Sequence, residues 1–159
     1  MCPNKKIKPA EFSWSVRVYY EDTDSGGVVY YANYLKFMER ARTELLRSIG
    51  FEQDILQQQH GIIFAVHSAN IKYVKPARFN DELRVITSIP SLGKASINFK
   101  QSVYPESSRY QLTEAEDSSS GILCDAQIKI ACLNAEKFSP QSIPLSIIEK
   151  INQEFFCGS

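Results

Sequence analysis

The sequence predicts an α+β fold in which an antiparallel sheet of about five strands wraps around one long helix. Three observations predict it. One stretch repeats its apolar residues at spacings of three and four, as an amphipathic helix does. Five others are short runs rich in β-branched and aromatic residues, bounded by Pro, Gly, Asn or Asp. The joins among the last four of these are mostly too short for crossover helices, so the strands are expected to pair antiparallel as a meander. With 159 residues, 43% hydrophobic and 23% charged, the chain is sized for one domain that buries roughly two-thirds of its unfolded surface.

Residues 1–12 are polar, carry Lys5, Lys6 and Lys8 and two prolines, and read as a loose leader to a single domain at 13–155. The first strand is expected over Ser13–Glu21, where Trp14, Val16, Val18 and Tyr20 alternate with Ser15, Arg17 and Tyr19. EDTDSGGVVY, at 21–30, is a loop of turn-forming Asp, Ser and Gly. The long helix runs Tyr31–Ile49 on the stripe Tyr34, Leu35, Met38, Ala41, Leu45 and Ile49, and Gly50 stops it. A short polar helix over Gln53–Gln59 ends at Gly61. The runs IIFAVHSANIKYV, ELRVITSIPSL, ASINFKQSVY and ILCDAQIKIACL supply the remaining strands. Between the last two, Tyr104–Gly121 is acidic and Ser-rich, far longer than a hairpin loop, and is expected to be a solvated excursion. A short helix over Ser146–Phe155 closes the domain after Pro140 and Pro144.

Composition narrows the function. Eighteen basic residues balance eighteen acidic ones, so no global field favours nucleic acid or anionic lipid. Neutrality and exposed sheet edges both favour a homo-oligomer. No apolar run is long enough to span a membrane or to begin the chain as a signal peptide, and the expected location is the cytoplasm. Cys2, Cys124, Cys132 and Cys157 form no Cys-x-x-Cys pair and have no matching His cluster, so they read as reduced thiols that hold no metal. Cys124 and Cys132, eight apart in one strand, read as buried small hydrophobes on one face.

The densest unusual chemistry is VRVYYEDTDSGGVVYYANYLKFMERAR, 16–42, where two carboxylates and two glycines separate a strand from the start of the helix. A helix N-terminus presents unpaired N–H groups that stabilise charge developing on a carbonyl oxygen. A carboxylate held beside it can attack that carbonyl or activate water to do so. Taken alone, Asp24 could equally be a loop residue that hydrogen-bonds its own turn.

The stretch VRVYYEDTDSGGVVYYANYLKFMERARTE resembles the signature of the hot-dog-fold acyl-CoA thioesterases of the 4-hydroxybenzoyl-CoA thioesterase type. Within them it is most similar to the branch associated with the bacterial Tol-Pal system, often called YbgC. The likeness extends from about Trp14 to Ile148 and includes YVKPARFNDELRV. The resemblance implies the hot-dog fold and hydrolysis of an acyl-CoA thioester to a free acid and CoA, with no metal or redox cofactor. It makes Asp24 the catalytic carboxylate, as nucleophile or as base for water, and leaves Asp22 to order the loop. Gly26 and Gly27 would let the loop turn tightly and the thioester approach the backbone. The Tyr31 backbone N–H is implied as the donor to the thioester oxygen. Many members of the branch carry His at that position, which puts the side chain's role, but not the amide's, in question.

Coenzyme A brings phosphates outside and a thioester within, so a cationic rim beside an apolar channel is expected. Arg78, Lys94 and Ser96 are candidate contacts, and Phe64 and Val66 fall on the strand that lines the acyl pocket in related enzymes. His60 and His67 lack an acidic partner motif and are assigned no catalytic role. Glu39 is noted because another hot-dog branch uses a helix carboxylate. The family implies a dimer of dimers and leaves acyl carrier protein as a second thioester source. The competing reading is a scaffold that binds acyl thioesters or acyl carrier protein for the Tol-Pal envelope machinery without turnover.

Overall fold

The computed structural model describes residues 10–106 and 121–156. Most of the leader, most of the Tyr104–Gly121 excursion, Cys2 and Cys157 lie outside the described residues. Five strands, β1 (Phe12–Arg17), β2 (Ile62–Tyr73), β3 (Glu82–Leu92), β4 (Ser96–Pro105) and β5 (Cys124–Asn134), form one sheet in the order β1-β3-β4-β5-β2. Every neighbouring pair is antiparallel. The helices are α1 (Asn33–Ser48), α2 (Gln53–His60) and α3 (Leu145–Ile151), the last continued by a π turn to Phe156.

The expected meander holds for β3, β4 and β5 but not for β2, which pairs with β5 instead of β3. The physical reason is the segment 74–81. It is pinned to the opposite edge of the sheet, where Val29 N–H donates to Ala77 O at 2.8 Å, Asn80 N–H to Val18 O at 2.9 Å and Val18 N–H to Asp81 O at 2.9 Å. The chain therefore crosses from the β2 edge to the β1 edge before β3 begins. Strand β1 ends at Arg17 rather than Glu21, because Tyr20–Asp22 turn into a 3-10 helix.

Helix α1 buries Tyr34, Phe37, Met38, Ala41, Leu45 and Leu46. Leu35, expected on the apolar stripe, is 39% exposed. At about 100° per residue, the buried arc is centred on 34, 38, 41 and 45 and widens towards 37, 42 and 46, so it passes 35 by. That arc includes a charged residue: Arg42 is buried, and its Nη1 donates to Gln101 Oε1 at 2.9 Å. Gln101, fully buried on β4, donates in turn to the Met38 carbonyl and to Thr87 Oγ1, each at 2.9 Å. One amide thus joins helix to sheet and partners a buried guanidinium, whose pKa burial pulls below its ordinary value while nearby Glu39 partly opposes. Replacing Gln101 by Leu leaves that charge without its acceptor and should cost about 3 kcal/mol, read as a fall in denaturation midpoint with an unchanged slope.

Cys124 and Cys132 are both buried, as expected. Burial pushes the Cys124 thiol up to about 12, with Asp125 adding to the rise, and burial raises Cys132 as well. Neither should react with iodoacetamide in the folded protein near neutral pH. Because the folded pKa lies above the unfolded one, the stability tied to the Cys124 proton is fully present below the ordinary value of 9.0 and is lost as pH rises towards 12.

Candidate active site

The loop between β1 and α1 is a small hairpin. Tyr30 N–H donates to Asp22 O and Asp24 N–H to Val28 O, each at 2.9 Å, with Thr23 bridging Val29 between them. Asp22 is buried at the base of the hairpin. Its Oδ2 accepts Tyr19 N–H at 2.9 Å, and its carbonyl also accepts Asn33 Nδ2 at 2.8 Å. Asn33 is the first residue of α1, and its side chain ties the helix to the loop.

Asp24 lies nearer the tip and is exposed. Its Oδ1 accepts Gly26 N–H at 2.8 Å, so the self-bonded turn is present. Oδ2 has no hydrogen bond among the described residues, which leaves one carboxylate oxygen free to act. A Cβ on Gly26 would lie 3.2 Å from Asp24 Oδ1, tight enough to push the carboxylate aside. Gly27 has φ +76°, in the left-handed region where a side chain is strained.

Tyr31 stands between the hairpin and α1 and is 59% exposed. Its N–H has no acceptor among the described residues. The helix start adds to this donor, because Ala32 occupies the N-cap and provides no side-chain cap. Beside it, Val29, Tyr31, Tyr34, Tyr73, Val74, Lys75 and Pro76 surround a cavity of ≈ 240 Å³. The Tyr31 ring meets Tyr73 edge-on at 6.0 Å, and the Tyr34 hydroxyl accepts Ala77 N–H at 2.9 Å. Burial raises the Tyr34 and Tyr73 phenols, and the adjacent Tyr31 hydroxyl raises Tyr30, so these three stay protonated near neutral pH. Sequence reading passed over Tyr34, Tyr73 and Lys75 as site residues. Their signal is that the second strand ends in Tyr73, one residue before KPAR, which returns to the hairpin.

The candidate residues fall into two groups. Arg78 joins Asp24, Gly27 and Tyr31, because its backbone bridges Val28, and its exposed side chain lies on the same end of the sheet. Phe64, Val66, Lys94 and Ser96 gather at the other end. Phe64 pairs with Cys132 and Ser96 with the adjacent Ala131, while Tyr73 lies nine residues along β2 from Phe64, roughly 30 Å at strand spacing. Within one chain, therefore, the structure does not bring these four to Asp24. Phe64 and Val66 line a second cavity, of ≈ 100 Å³, against Glu39, Arg42, Thr43 and Leu46 of α1. Both histidines, His60 and His67, are exposed.

Comparison with known proteins bears on this arrangement. A model of the thioesterase superfamily matches residues 26–111. The acyl-CoA thioester hydrolase YbgC of Escherichia coli O157:H7 is 39% identical over 142 residues, covering 89% of this chain and 96% of that protein. The acyl-CoA thioesterase YbgC of Haemophilus influenzae is 40% identical over 136 residues, covering 86% and 90%. Among solved structures, a probable thioesterase from Bartonella henselae superimposes with a TM-score of 0.74 at 32% identity, covering 85% of this chain and all of that one.

Proposed function

Since the chain belongs to the thioesterase superfamily and has its α+β hot-dog fold, we propose that it hydrolyses acyl-CoA thioesters to a free acid and CoA, with Asp24 and the Tyr31 N–H as the reacting pair. The observation that carries the reading is their juxtaposition. A carboxylate with one free oxygen and an amide without an acceptor flank the same hairpin, beside a cavity that opens at the start of α1. Two residues of strand, roughly 7 Å, separate the Asp24 rung from the Asp22–Tyr30 rung next to Tyr31. A thioester carbonyl bound between them meets the carboxylate on one side and the amide on the other.

The chemistry then runs by either of two balanced routes. Asp24 attacks the carbonyl, the oxyanion is held by the Tyr31 N–H, the C–S bond breaks to give the CoA thiolate, and water hydrolyses the resulting anhydride. Alternatively, Asp24 takes a proton from water as that water attacks, and the same amide holds the oxyanion. Both give one acid and one thiol per water consumed. The exposed carboxylate suits either role, and a phenol at Tyr31 is needed for neither.

The reading includes a second copy of the chain. β2 ends the sheet as a twelve-residue edge, and 66–70 are exposed in succession along it. A long uncovered edge invites pairing. Antiparallel pairing of β2 with its copy about a two-fold axis sets the Phe64 end of one chain against the Tyr73 end of the other. Phe64, Val66, Lys94 and Ser96 would then serve the partner's Asp24 as acyl wall and CoA rim, with a dimer of dimers as the full assembly. No helix among the described residues is long and apolar enough to cross a membrane, and the proposed setting is the cytoplasm.

The test is thiol release, followed with a thiol-trapping dye, over acyl-CoAs from short aliphatic to long-chain and aromatic, with light scattering on the same preparation. Turnover of a preferred acyl-CoA by an oligomer is expected. Tight binding of acyl-CoA or acyl carrier protein with no thiol released would replace the hydrolase reading with a scaffold. A monomer that turns over at full rate would remove the partner from the site.

A further inference from the structure

The cavity between α1 and the β2 side of the sheet contains a buried charge that the proposed reaction does not use. Its walls are largely apolar, with Leu46, Phe64, Ile97 and Phe99 among them, and Arg42 lines it. Arg42 is 8% exposed, and one of its N–H groups donates to Gln101. The rest of the guanidinium has no acceptor among the described residues, and it forms no ion pair there. Gln101 is already committed to Met38 and Thr87.

The other polar groups around the cavity are also engaged. Thr43 Oγ1 donates to Glu39 Oε1 at 3.0 Å and accepts Gln53 Nε2 at 3.2 Å. Glu39 itself is exposed at the mouth. Buried donors without acceptors are costly and rare in folded proteins. What the cavity lacks is an anionic acceptor at its depth.

We propose that this cavity is a binding site for a carboxylate carried on a short apolar stem, its oxygens on the free donors of Arg42 and its stem against Phe64 and Ile97. The guanidinium fork matches the planar carboxylate. A phosphate would bring further oxygens and more charge than these largely apolar walls match. The small volume of ≈ 100 Å³ suits a carboxylate and a few carbons. Two sources share this chemistry: a free short-chain acid, or the distal carboxylate of an acyl chain. The second rests on the thioesterase reading above.

Calorimetric titration of the full chain with butyrate and with butyramide tests the site, because the two differ in charge and hardly in shape. Butyrate should bind at least tenfold more tightly to the wild type and to Asp24→Asn, and Arg42→Met should lose that preference. Should Arg42→Met fail to fold, Thr43→Trp takes its place. Thr43 lines the cavity from α1 and is half-buried, so a Trp there should fill the cavity without touching the β2 edge, and butyrate binding should vanish. Equal binding of acid and amide, or a preference that survives both substitutions, would overturn the proposal. Thiol release from succinyl-CoA against butyryl-CoA separates the sources. A preference for succinyl-CoA that Arg42→Met removes assigns the site to the acyl chain, and equal rates with butyrate still bound assign it to the free acid. If no acyl-CoA of the wider series, from short aliphatic to long-chain and aromatic, is hydrolysed while butyrate still outbinds butyramide, the hydrolase reading fails and the site stands.

Discussion

Replacing Asp24 by Asn should lower kcat for thiol release by roughly 10²- to 10⁴-fold while leaving KM and the melting temperature close to those of the wild type. The substitution is chosen because Asn keeps the oxygen that accepts Gly26 N–H at 2.8 Å, so the turn survives. What it removes is the negative charge and the free oxygen, the two things a nucleophile or base requires. Asp24 is exposed, so no packing is lost. A fall in kcat matched by a fall in stability would mean that Asp24 serves only its turn. Steady-state kinetics beside a thermal melt separates the two outcomes.

The second large effect concerns a backbone atom. Tyr31→Pro should reduce kcat by roughly 10²- to 10³-fold, the usual effect of removing one oxyanion donor, whereas Tyr31→Phe should change it little. Proline deletes the N–H, and here that N–H makes no bond among the described residues, so the fold loses no hydrogen bond. The position lies two residues before the first residue of α1, outside the helical hydrogen-bond ladder that a proline would break. Phenylalanine keeps the amide and the ring contact with Tyr73 and removes only the hydroxyl. If Tyr31→Phe were as slow as Tyr31→Pro, the phenol and not the amide would be the group that matters.

These predictions rest on features of unequal visibility in the sequence. Helix α1 was legible because its apolar spacing and Gly50 agree, and the strands were legible because runs rich in β-branched and aromatic residues end at Pro, Gly, Asn or Asp. The order of the strands was not. Counting residues between Tyr73 and Glu82 shows that the join is short, but its hydrogen bonds to Val18 and Val29, which carry it across the sheet, leave no local mark. The same limit applies to the site. Asp24 and Tyr31 are proposed together because one continuous motif contains them. Phe64, Val66, Lys94 and Ser96 were correctly grouped as a set by neither spacing nor periodicity, since their separation from Asp24 is a property of the register of β2 on β5. Arg42 was missed although its position, four residues after Met38 and four before Leu46, lies on the buried arc. A charged side chain reads as solvated until the partner that buries it, Gln101 on β4, is known.

The most direct test mixes the protein in slight excess with its preferred acyl-CoA, quenches at intervals, and counts free CoA against intact thioester in the same samples. The account predicts that the wild type converts the whole of the thioester to acid and free CoA, while Asp24→Asn retains it intact and bound over the same interval. Intact thioester held indefinitely by the wild type, or conversion by Asp24→Asn at the wild-type rate, would contradict it.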